Sequence, residues 1–174
     1  LLVKYPARLL TVALLGSGWE GENMEALTAQ MAAMADGFDK RDASGLIRGV
    51  QAGAQSGPSD AAVAAAAADL FSRNDPKVLA AIARALPSLW QVSRDELRAV
   101  QVPVLAINGE FEPSNVEAAN RMVGLVPRLE LVELPGTNHA TSVRPAATHI
   151  VEFLNRTRCN ETPQASPRRP PACW

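Results

Sequence analysis

Hydrophobic positions along the chain fall into two alternating arrangements. Three short runs are dense in Leu, Val and Ile: Leu9 to Leu15, Val102 to Ile107 and Leu129 to Leu134. Runs of this length, closed by Gly or Pro, predict strands of a buried parallel sheet. Elsewhere the apolar residues recur at helical spacing. Asn23 caps a helix that carries Leu27, Met31 and Met34 and stops at Gly37, and a second helix spans Ala43 to Ala52. Ser59 or Asp60 opens an alanine-rich helix closing at Phe71. Asp75 before Pro76 starts another, with Val78, Leu79, Ile82 and Leu86 as one face before Pro87. Ser93 with Glu96 fits a capping box ahead of the second strand. Ser114 caps a helix toward Val123, and a last helix runs from about Arg144 to Asn155.

Strands alternating with helices define an α/β chain. The stretch between the first two strands, residues 19–95, is helical throughout in pattern. A parallel crossover needs only about a dozen residues, so the surplus is expected to form a helical cap inserted over the strand ends. Trp19, Met24, Met31, Met34 and Trp90 are the residues expected on its underside. The folded domain is expected to occupy residues 1–156. Beyond Arg156 the sequence turns Pro-rich and polar without apolar period, and residues 157–174 are expected to be a disordered tail.

Composition removes several function classes. The 174 residues carry a net charge of −1, with 20% charged and 5% aromatic residues. A nucleic-acid surface would need a basic stripe, which is absent. No apolar stretch is long enough to span a bilayer, and no charged-then-apolar leader is visible. Cys159 and Cys173 lie in or beside the tail, so free thiols and a cytoplasmic location are the expectation. Two histidines without a cysteine cluster supply no metal-ligand set, and no cofactor is implied. The partner expected is a small-molecule substrate; nothing in the pattern fixes an oligomeric state.

Two strand ends carry the candidate chemistry. The second strand runs into NGEFEP and presents Glu112, and the third runs into PGTNHA and presents His139. Chemistry in open α/β sheets sits at the carboxyl ends of the strands. A carboxylate and an imidazole delivered there suit an orienting acid and a general base. Glu110 is the rival acid. Glu112 also reads as a favourable charge at a helix start, and His149 reads as an ordinary residue of the last helix. Gly16-Ser17-Gly18-Trp19-Glu20-Gly21 satisfies a dinucleotide fingerprint, with Asp36 or Asp39 near the ribose-binding offset. That reading needs a helix opening at the glycines and a second strand within about 30 residues. The pattern instead stays helical, so the glycines are read as the exit from the sheet.

The stretches Pro103 to Glu112, Leu134 to His139 and Val143 to Leu154, together with the opening LLVKYPARLLTVALLGSG, resemble the C-terminal half of an α/β-hydrolase. The resemblance covers roughly residues 1–20 and 95–156. It implies a truncated α/β-hydrolase fold, a partial parallel sheet of about three strands with flanking helices and an inserted cap. It also implies hydrolysis of a carboxylic ester, lactone or related small-molecule bond, with His139 and Glu112 as catalytic residues. The chain departs from the family in having Glu at the acid position, where Asp is usual. It also shows no Gly-x-Ser-x-Gly elbow, and GAQSG at Gly53 to Gly57 has the wrong spacing. The chain is therefore expected to be a fragment that is inert alone, its nucleophile, Ser or Asp, lying upstream of Leu1.

Overall fold

The computed structural model describes residues 1–52 and 57–160. Most of GAQSG and residues 161–174 of the expected tail lie outside the described residues. A short 3-10 turn at Pro6–Arg8 leads into β1 (Val12–Leu15). Four helices follow: α1 (Glu25–Asp39), α2 (Ser44–Val50), α3 (Asp60–Arg73) and α4 (Pro76–Leu89). Then come α5 (Arg94–Arg98), β2 (Val104–Gly109), α6 (Pro113–Asn120), β3 (Leu129–Leu134) and α7 (Val143–Asn160).

The strands form one parallel sheet in the order β1-β2-β3, with Val12 opposite Val104 and Val104 opposite Leu129. Every residue of the central β2 is buried, as its uninterrupted apolar run requires. Alternate side chains feed opposite faces. Val104 joins Trp19, Leu97, Val100 and Met122 on one side, while Leu105 and Ile107 join Leu134, Ala146 and Phe153 on the other. Phe153 of α7 is fully buried, a contact worth about 1.5–3 kcal/mol relative to exposure. The outer edge of β1 has no strand partner among the described residues.

Helices α1–α4 fill the connection between β1 and β2, with no strand among the described residues. The start signals act as their chemistry demands. Ser59 Oγ accepts from the Ala62 amide, Asp75 caps α4 ahead of Pro76, and Ser93 and Glu96 close a reciprocal capping box. Several expectations need correction. Glycine at 37 does not stop α1; a Cβ there would lie 2.8 Å from the Asp42 carbonyl oxygen, so Gly37 lets the returning chain pack against the helix. On α4 the buried face is Ala80, Ala83 and Pro87, while Val78 and Ile82 are more than half exposed. Close packing of α4 along α1, where Ala35 is fully buried, selects small residues over bulky ones. Glu112, not Ser114, occupies the N-cap position of α6, because Pro113 takes the first helical position. Helix α7 continues to Asn160 instead of ending at Asn155, and the buried Thr157 hydroxyl donates to the Phe153 carbonyl. Residues 157–160 therefore belong to the helix and not to a tail. No described helix is long and apolar enough to cross a membrane.

Candidate active site

Because the three strands are parallel, their carboxyl ends share one edge of the sheet. β2 ends at Gly109 and the chain turns at once, with the Glu112 amide donating to the Gly109 carbonyl at 3.0 Å. This turn folds the Glu112 side chain back over the strand end. Its Oε2 accepts from the Gly109 amide at 2.7 Å, and its Oε1 accepts from Asn115 Nδ2 at 2.7 Å. After β3, Asn138 Oδ1 accepts from the amides of Ala140 and Thr141. This Asx turn swings the chain toward α7 and puts His139 at the edge.

The two groups meet. His139 Nδ1 lies 2.6 Å from Glu112 Oε1. The Glu112 side chain is 4% exposed and the His139 side chain 47%. A carboxylate can only accept, so the neutral ring places its proton on Nδ1 and leaves Nε2 as a free acceptor. Among the described residues no Ser, Cys or Asp side chain hydrogen-bonds that ring. Glu110 is occupied elsewhere: its Oε2 accepts from the Gly136 amide at 2.7 Å, tying the end of β2 to the turn after β3. His149 sits half-buried on α7.

Two positions were missed by the sequence as contributors to this geometry. Gly16 follows β1 with φ of 63°, and a Cβ there would stand 2.6 Å from His139 Cε1 and Nδ1. Its missing side chain is the space the imidazole occupies. Asn115 is the other, and only its position one helical turn after Glu112 hinted at the contact. Gly18 serves the fold, since a Cβ there would lie 2.2 Å from the Ala119 backbone nitrogen. The dinucleotide reading fails. Helix α1 opens only at Glu25, Trp19 is buried in the core, and Asp36 and Asp39 both bind Arg84.

A cleft of about 800 Å³ opens between the strand ends and the helices above them. Gly16, Phe111, Glu112 and His139 form its floor side, and Met34, Phe38, Asp42, Leu46 and Val50 stand among its other walls. Of the five residues expected beneath the helices, only Met34 lines it. Trp19 instead packs in the core and donates from Nε1 to the Val92 carbonyl, while Trp90 is 43% exposed. No group of three His, Cys, Asp or Glu residues suited to a metal ion occurs among the described residues.

No protein-family model and no curated sequence matches the chain. Solved structures do. MenH from S. aureus superposes with a TM-score of 0.60 at 17% identity, over 90% of this chain and 64% of its own. A carboxylesterase from Nitrososphaera gargenis gives 0.64 at 16%, over 91% and 60%. The proline iminopeptidase of Mycobacterium smegmatis gives 0.56 at 21%, over 92% and 62%. The chain thus has an α/β-hydrolase fold, and it spans less than two thirds of the length of these structures.

Proposed function

We propose that this chain supplies the acid–base half of an α/β-hydrolase acting on a carboxylic ester, lactone or related small-molecule bond. The observation that carries this reading is the 2.6 Å Glu112–His139 contact at the carboxyl edge of the sheet, facing a cleft. In this mechanism His139 Nε2 removes the proton of a nucleophile and later returns one to the leaving group. Glu112, buried and accepting on both oxygens, fixes the Nδ1–H tautomer and stabilises the imidazolium as it forms. Helices α1–α4 act as the cap that admits and shapes substrate. The nucleophile is supplied from outside the described contacts, on a further strand laid against the open edge of β1. The setting is cytoplasmic and the partner a small molecule.

The test is turnover of short-chain p-nitrophenyl esters. The 174-residue chain alone is expected to give none. Joining a preceding segment that carries a Gly-x-Ser-x-Gly or Gly-x-Asp-x-Gly elbow is expected to give turnover, and His139→Ala to abolish it. Hydrolysis by the chain alone that is lost in His139→Ala would place a nucleophile within these residues. Absence of turnover in the extended chain would leave a non-catalytic binding module.

A further inference from the structure

We propose that Asp42 makes the cleft selective for substrates that carry an ammonium or other cationic group. The proposal rests on reading this cleft as the substrate site. Among the described residues its lining holds three ionisable side chains, Asp42, Glu112 and His139, and no Lys or Arg. Glu112 is committed to Gly109, Asn115 and His139. Asp42 is the one charge left over. Its side chain is exposed and forms no salt bridge among the described residues, while Ser44 bonds it through amide and hydroxyl and Lys40 attracts it at longer range.

Asp42 is held in place from both sides. The end of α1 closes in a Schellman arrangement: the Arg41 amide donates to Phe38 and the Asp42 amide to Gly37, at 2.9 and 2.8 Å. The residue between, Arg41, is the only described non-glycine with positive φ, at 56°. Glycine is usual there, and a bulky side chain in that region costs on the order of 1 kcal/mol. The turn therefore carries strain to aim the chain from α1 into α2. On the other side Asp42 Oδ1 accepts from the Ser44 amide at 2.8 Å, an Asx turn around the N-cap Ala43; this bond, then the Ser44 hydroxyl and Lys40, lower the carboxyl below its ordinary value. That turn alone would be served as well by Asn or Ser. An exposed carboxylate on the lining shared with Met34, Phe38 and Leu46 attracts a cation and repels an anion, an effect screened by solvent and partly offset by Lys40.

The test is a titration of the full chain with three probes of one shape: benzylammonium, benzyl alcohol and benzoate. It is repeated in Asp42→Asn, whose side-chain oxygen still accepts from the Ser44 amide, with thermal unfolding as the check on folding. Benzylammonium is expected to bind at least about threefold tighter than benzyl alcohol, an effect on the scale of an exposed ion pair. Benzoate binds weakest, and the spread narrows as salt is raised. In Asp42→Asn the three should converge. Equal binding of the probes by the wild-type chain overturns the proposal, as does a preference that survives in Asp42→Asn. Failure of all three to bind overturns it too, because the cleft then takes no such ligand. The hydrolase reading is judged separately, by ester turnover and its dependence on His139.

Discussion

Replacing Gly16 with Ala should break the Glu112–His139 contact while leaving the sheet folded. The new Cβ would stand 2.6 Å from the imidazole Cε1 and Nδ1 and 3.3 Å from Glu112 Oε1. Ordinary carbon contacts lie near 3.5–4.0 Å, so the ring must retreat by about 1 Å. The carboxylate cannot follow, since the Gly109 amide and Asn115 hold it. A 2.6 Å hydrogen bond stretched by that amount passes beyond bonding distance. The ring has room to move outward, its side chain being 47% exposed, so the steric term is relieved at the expense of the pair and not of the core. What remains is the backbone term for Ala at a φ of 63°, about 1–2 kcal/mol. For a chain of this size that lowers the unfolding midpoint by roughly 2–8 °C. The assay is proton NMR of the low-field Nδ1–H resonance of His139, alongside thermal unfolding. Gly21→Ala is the control: Gly21 also has positive φ, 94°, but a Cβ there meets nothing within 4 Å. It should lose stability and keep the resonance. Survival of the resonance in Gly16→Ala, or its loss in Gly21→Ala, would refute the argument. In a form that turns over ester, Gly16→Ala should cost about 10²–10⁴ in rate, the worth of a positioned general base.

Two further predictions concern carboxylates. Glu112→Gln leaves the buried Gly109 amide or the imidazole without an acceptor and should cost about 1–3 kcal/mol in urea unfolding, while Glu110→Gln keeps an oxygen for the Gly136 amide and should stay within about 0.5 kcal/mol. At α5, Ser93→Ala should cost about 1 kcal/mol by loss of the cap. The amide and hydroxyl of Ser93 lower the Glu96 carboxyl below its ordinary value. A lowered carboxyl stabilises above its ordinary value and loses that contribution as pH falls through the lowered one. The stability gap between wild type and Glu96→Gln should accordingly be full at neutral pH and close in acid, as followed by denaturant midpoints across pH.

Features set by neighbours along the chain were legible in the sequence. The strand Leu129–Leu134 was bounded to the residue, because a dense apolar run closed by Pro-Gly has one reading. The caps at Asp75 and Ser93 followed from side chains that reach amides two or three residues on, and the structure settles the open choice between Ser59 and Asp60 for Ser59. The order of strands and helices, and with it the α/β class, came from the same local periodicity, and so did the pair of strand ends that brought Glu112 and His139 into view. Features that depend on what arrives from a distance were not legible. Of the four bulky residues expected on one face of α4, Leu79 packs against the helical core and Leu86 is half-buried while Val78 and Ile82 are exposed, since the face that packs is chosen by how closely α1 approaches. Period alone could not separate Glu110 from Glu112, two residues apart; the turn at Gly109 sends one to Gly136 and the other to His139. Gly16 read as an exit from a strand, and only the folded chain revealed that the absent side chain is where the imidazole lies. A hydrogen bond within one turn is written in adjacent residues. A contact between Glu112 and His139, 27 residues apart, exists only once the parallel sheet has put their strand ends side by side.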